Sequence, residues 1–149
     1  VNIWAAFSSV GTFPLCIFQE ILTAALFVNI LEGHLITQAT VFHGSEWFLV
    51  QDNDPKHTAK LTKAWIDKNM KQNRIDWPSQ SQDVNPIKNL FARIKLELIK
   101  RNPKNIRNLK LQLLKIWERI DADFLRPYWA SMPKRCQLVQ ESSGYKIKY

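Results

Sequence analysis

Two stretches of this chain hold residue types whose spacing could do chemistry. The first is Asp52-Asn53-Asp54-Pro55-Lys56-His57-Thr58; the second runs Trp77-Pro78-Ser79-Gln80-Ser81-Gln82-Asp83-Val84-Asn85-Pro86-Ile87-Lys88-Asn89-Leu90. In the first, a carboxylate directly follows an apolar run, 46–51, that reads as a short buried strand. Open α/β sheets place ligand sites beyond the carboxyl ends of their strands. Asp52 there suits a hard cation such as Mg²⁺, which is usually held by one or two carboxylates. A purely structural reading competes, because Asp, Asn and Pro are turn and helix-cap residues. These residues alone leave both open. An EF-hand is excluded: counted from Asp52, the sixth position is His57 instead of Gly and the twelfth is Lys63 instead of Glu.

Other chemistries find no residues to carry them. His34, His43 and His57 lack zinc-ligand spacing and read as surface or core polar groups. The chain has four glycines, none of them in a phosphate-binding loop, and no nucleophile elbow. Cys16 and Cys136 cannot build a disulfide framework or a four-ligand zinc site, which points to a reducing, intracellular setting without secretion. Nothing points to a small-molecule substrate. Glu97 and Glu118 fall on predicted helices as solvated or ion-paired groups.

The elements that must position these residues follow from periodicity. With 149 residues, 46% hydrophobic and 23% charged, the chain has the length and composition of one globular domain. Runs 1–8 and 12–19 read as two strands joined by a tight turn at Ser9-Val10-Gly11, with Pro14 keeping the second strand at an edge. Helical spacing covers 22–35 through Leu22, Leu26, Phe27, Ile30 and Leu31, and 57–70 through Leu61, Ala64, Trp65 and Met70. A short strand is expected at 75–77, ended by Pro78. Asn85 suits a helix cap and Pro86 the first helical position. The helix they open carries Ile87, Leu90, Phe91, Ile94 and Leu98 on one stripe and ends at Asn102-Pro103. Another helix faces Ile106, Leu109, Leu113, Ile116, Trp117 and Ile120 inward, and a shorter one covers about 124–140. The order is α/β: a hairpin at about 1–20, core helices and strands over 22–101, and C-terminal helices over 104–149. The most apolar stretch, 12–31, is broken by Gln19, Glu20 and Asn29, so no membrane span is expected.

Taken together, DNDPKHT and WPSQSQDVNPIKNL resemble the catalytic domain of Tc/mariner-type transposases. The opening VNIWAAFSSVGTFPL resembles the strand pair after that family's first catalytic aspartate, and SMPKRCQLVQESSGYKIKY resembles its C-terminal end, so the likeness spans the chain. It implies a ribonuclease-H-like mixed sheet flanked by helices, cut-and-paste DNA transposition, and Mg²⁺ or Mn²⁺ held by an Asp-Asp-Glu triad. Two-metal phosphoryl transfer needs those carboxylates, since one ion activates the attacking oxygen while the other stabilises the leaving one. Asp52 matches the second aspartate. Lys88 stands where the pattern NPIENL has the glutamate, and the first aspartate is expected on a central strand upstream of Val1. Gln82 replaces the usual Pro and Phe91 the usual Trp. Thirty-five residues separate Asp52 from Lys88, one more than is common in the family, which the loop around 68–73 can absorb.

An ammonium has three donors and no acceptor, so Lys88 cannot ligate a metal while protonated and is expected to pair with Asp52. It also opposes the helix dipole at its own position. Asp83 and Glu97 are poorly placed to substitute for the missing glutamate, because metal sites tolerate little displacement. The expected function is therefore a transposase-derived domain that has lost catalysis; the alternative is an active metal-dependent nuclease and strand-transfer domain completed by upstream sequence. Residues 1–87 hold 6 Lys/Arg against 8 Asp/Glu, and residues 88–149 hold 15 against 5. This basic second part suggests a polyanion partner. Arg93, Lys95, Lys100, Arg101, Lys104, Arg107 and Lys110 are the candidate contacts to double-stranded DNA. The resemblance implies a nuclear location. An exposed seam where the central strand should stand would favour a homodimer.

Overall fold

The computed structural model describes residues 1–73, 75 and 84–142. Strand β1 (Asn2–Trp4) pairs antiparallel with β2 (Cys16–Phe18), placing Ile3 opposite Ile17. A bridge between Phe7 and Thr12 extends the hairpin, and the Ser8 N–H donates to the Gly11 carbonyl at 2.9 Å to close its turn. The ladder breaks between those two sections, where Pro14 has no N–H to donate.

The hairpin separates two apolar cores because side chains alternate along a strand. Ile3, Ala5 and Phe7 pack with the helices α5 (Ile87–Arg101), α6 (Ile106–Trp117) and α7 (Ala122–Ala130), through Leu90, Ile94, Leu113, Ile116 and Leu125. Trp4 and Ala6 pack to the other side with Phe27, Leu31, Leu35, Ala39 and Ile66. Across the layers, the buried Trp117 indole N–H donates to the Phe13 carbonyl at 2.8 Å.

The first helix runs well past the expected 22–35. Helix α1 (Ala24–Ile30), a π-helical turn (Leu31–Ile36) and α2 (Thr37–His43) form one rod, capped by the Thr23 side chain on the Leu26 N–H and ended at Gly44, whose φ is 59°. The inward residues Phe27, Leu31, Leu35 and Ala39 are spaced by four. Four residues overshoot a 3.6-residue α-turn by about 40°. The wider π-turn removes that drift and keeps all four on the core. The rod, Ala24–His43, is also long and apolar enough to cross a membrane by length and composition, which was not expected of this region. In the fold its apolar stripe is occupied by the second core.

Several sequence expectations need correction. Among the described residues, 46–51 contains no assigned strand; only Leu49 is bridged, and Phe48 is 64% exposed. A strand needs a neighbouring ladder. Among the described residues β1 has no partner on its second edge, and a cavity of about 690 Å³, lined in part by Trp4, Ala6, Leu35, Gln51, Asp52 and Lys88, separates it from 46–51. The expected helix 57–70 is two helices, α3 (Pro55–Thr58) and α4 (Lys60–Asn69), because Ala59 is extended (φ −56°, ψ 148°). The face of α4 is also rotated: Leu61 is exposed, while Thr62 and Ile66 are buried. The Thr62 hydroxyl finds the Lys56 carbonyl at 2.7 Å, so a polar residue takes the inward place. Ile106, expected inward, is exposed at the start of α6. The last expected helix is split at Ser131 into α7 and α8 (Met132–Glu141), with Pro133 near the start of the second. The expected strand at 75–77 lies mostly outside the described residues, as does Asp83.

Helix α5 follows its local chemistry closely. Pro86 already has helical angles (φ −67°, ψ −20°), the Asn85 side chain accepts from the Ile87 N–H at 3.3 Å, and Asn102 closes the helix in the left-handed region (φ 48°). This fixes Lys88 in the first turn.

Candidate functional site

The loop after 46–51 is built by its own side chains. Asp54 caps α3, with Oδ1 accepting the Lys56 N–H at 2.9 Å and the Lys56 ammonium 3.1 Å from the same oxygen. The Asp54 N–H in turn donates to Asp52 Oδ1 at 3.4 Å. These bonds turn the chain sharply and present the Asp52 carboxylate toward α5.

Three groups meet there. Lys88 Nζ donates to Asp52 Oδ2 at 2.9 Å, and His57 Nδ1 lies 2.9 Å from Asp52 Oδ1 and 3.1 Å from the Asp52 carbonyl oxygen. Both of those oxygens are acceptors, so Nδ1 must carry a hydrogen. The His57 ring packs on Phe27 with centroids 4.2 Å apart, which holds its plane. Burial pushes the Asp52 carboxyl up, but the Lys88 hydrogen bond and charge, the His57 charge and the Asp54 N–H together hold it below its ordinary value. Asp54 behaves alike: burial raises it, and the Lys56 backbone and side-chain bonds bring it below.

The arrangement does not fit a divalent-metal centre. A metal would need the Asp52 oxygens and further carboxylates around them. Instead Lys88 sits on Oδ2, His57 on Oδ1, and no group of three or more His, Cys, Asp or Glu side chains suited to a metal occurs among the described residues. Lys88 carries its positive charge into a first helical turn that holds no acidic residue. Glu97 lies elsewhere along α5, paired with Arg101 at 3.3 Å.

The basic residues are unequal. Arg93, Lys95, Lys100, Lys104 and Arg107 are exposed, whereas Arg101 and Lys110 are half-buried. Arg101 also donates to Gln112 Oε1 at 3.0 Å, so it braces α5 against α6. Sequence reasoning passed over His57 as a bland polar residue, although its place five positions after Asp52 in the same motif was a signal. It also passed over Arg135, which nothing local distinguishes from its basic neighbours.

In the solved structure of the Mos1 transposase catalytic domain with raltegravir and Mn, the fold is shared with a TM-score of 0.80 at 18% identity, over 99% of this chain and 82% of that one. Hairpin and flanking helices thus define a ribonuclease-H-like fold. A family model described as DDE superfamily endonuclease matches residues 1–110. The Tcb2 transposase of Caenorhabditis briggsae is 33% identical and the Tc1 transposase of Caenorhabditis elegans 34% identical, each over all 149 residues and 54% of the relative. The chain belongs to the DDE endonuclease superfamily, among homologues of the Tc1/mariner transposases. It spans about half the length of these curated relatives.

Proposed function

We propose that this chain is a transposase-derived domain, of the DNA transposition and integration class, whose metal-dependent cleavage is lost. The observation that carries the reading is the 2.9 Å contact of Lys88 Nζ with Asp52 Oδ2. Asp52 takes the role of the second triad aspartate and Lys88 replaces the triad glutamate. With the ammonium on the carboxylate, the Mg²⁺ or Mn²⁺ that the family uses is repelled instead of bound. Double-stranded DNA remains the proposed partner, held non-specifically through the exposed lysines and arginines of α5 and the turn into α6, in the nucleus where transposases meet genomic DNA.

A second reading, an active domain completed by upstream sequence, has one observation in its favour. A cavity of about 690 Å³ lies between β1 and 46–51, with an apolar wall that an added element could cover. A strand or a second copy filling that slot would cover its apolar lining, Trp4, Ala6 and Leu35 among it, and a second copy there would make the expected homodimer. Removing that apolar wall from water favours an occupant.

Nicking of supercoiled plasmid in Mg²⁺ and Mn²⁺ separates the readings. No nicking by the folded chain, and nicking gained on Lys88→Glu, support the loss of function through Lys88. Metal-dependent nicking by the unaltered chain, abolished in Asp52→Asn, sinks it.

A further inference from the structure

Arg135 is 2% exposed, a guanidinium that is the buried residue of α8. A buried charge is costly unless its donors are satisfied, so its placement calls for a reason. Its Nε donates to Ser131 Oγ at 2.8 Å and its Nη2 to Asn89 Oδ1 at 2.8 Å. The Ser131 hydroxyl donates onward to the Tyr128 carbonyl at 2.6 Å, which turns its lone pairs toward Arg135. Tyr128 packs on the first core, its ring edge-on to Phe7 at 6.4 Å. A continuous chain of contacts therefore runs from the core, through the α7–α8 junction, to the first turn of α5. Asn89 immediately follows Lys88.

We propose that Arg135 is a positioning residue for the site. By gripping Asn89 it fixes the rotation of the first turn of α5 about its axis, and so sets where the side chain at position 88 meets Asp52. A helix advances about 100° per residue, so a modest rotation of this turn swings residue 88 away from the carboxylate. The planar guanidinium fork suits this task because its donors are held in fixed relative directions. The inference rests on the reading that residue 88 and Asp52 form the site, and it holds whether or not that site cleaves DNA.

The test is a double-mutant cycle on unfolding equilibria: the unaltered chain, Asp52→Asn, Lys88→Met and the double variant, each with Arg135 and with Arg135→Met. With Arg135 present, the pair should couple by a factor of about two to five in the unfolding constant, the range of exposed ion pairs. With Met at 135 the factor should fall to about one. Arg135→Lys, which keeps the charge but loses the fork, should also give about one. A merely structural arginine would shift all four proteins by the same factor and leave the coupling intact, and that result overturns the proposal. A factor of one already in the presence of Arg135 overturns it as well. If Arg135→Met does not fold, the cycle is repeated in Asn89→Ala, where unchanged coupling overturns the proposal and lost coupling supports it. Plasmid nicking by the unaltered chain would sink the loss-of-function reading while leaving this cycle to stand on its own outcome.

Discussion

Lys88 and Asp52 stand 36 positions apart in the chain and 2.9 Å apart in the fold, ammonium against carboxylate. The lysine comes from the first turn of α5 and the aspartate from the loop ahead of α3, so tertiary packing brings them together. The pair leaves the Asp52 carboxylate satisfied by the chain's own side chains.

That pair carries a pH signature. The Asp52 carboxyl is held below its ordinary value of 3.8, so the folded protein binds its proton more weakly than the unfolded chain does. Its stabilisation is complete above the ordinary value and fades as pH falls through the lowered folded value. Urea unfolding from pH 7 down to the acid range should show this fade, and Asp52→Asn should flatten that part of the curve. At pH 7 the substitution should cost about 0.2–1 kcal/mol through the lost ion pair; an unchanged pH profile in Asp52→Asn would refute the assignment.

Metal response should change with residue 88. Mg²⁺ or Mn²⁺ should leave the Tm of the chain as it is, because Lys88 occupies Asp52. Lys88→Glu should melt lower without metal, from carboxylate repulsion, and regain stability with Mn²⁺, by ~1.4 kcal/mol at ten times the dissociation constant. Thermal melts with and without EDTA check this. A Mn²⁺ shift in the unaltered chain would contradict it.

Thr62 should matter more than its surface-like composition suggests. Thr62→Val keeps the shape but leaves the Lys56 carbonyl without the 2.7 Å hydroxyl donor. The expected loss is about 1–3 kcal/mol, with faster hydrogen exchange at Lys56 and His57. Thr62→Ser should recover most of it. Equal exchange in the Val variant would argue that α4 merely fills space.

DNA affinity should fall with salt at a log–log slope of about −0.9 per neutralised phosphate. Replacing the exposed Lys95, Lys100, Lys104 or Arg107 by Ala should lower that slope. Arg101→Ala should leave it unchanged, since Arg101 is already engaged with Glu97 and Gln112. A flat salt response would count against phosphate contact altogether.

Trp117→Phe should cost about 1–3 kcal/mol beyond its lost volume, because the Phe13 carbonyl loses a buried donor. Chemical denaturation measures it, and a cost near zero would show that the two core layers do not depend on that bond.

Local chemistry made much of this legible. The ends of α5 were readable because Asn85, Pro86, Asn102 and Pro103 act on their own backbone neighbours. The hairpin was readable because apolar runs 1–8 and 12–19 flank a turn. What could not be read were matters decided by distant partners. A strand at 46–51 depends on a ladder that its own residues cannot supply, and nothing in the helix pattern marks the break at Ala59. The split at Ser131, by contrast, was written locally in Pro133, which has no N–H for the Trp129 carbonyl and suits the first turn of a new helix. The inward turn of Thr62 depends on a carbonyl six residues away.

The sequence by itself determined that position 88 cannot hold a metal, because an ammonium has no lone pair wherever it is placed. It also determined that this lysine opens a helix. Only the tertiary structure decided what that lysine does instead. Whether it points to solvent or onto Asp52, and whether Arg135 is one more surface charge or a buried brace, depends on which elements pack together. Side-chain identity sets what a group can bond, and three-dimensional packing chooses the partner it finds.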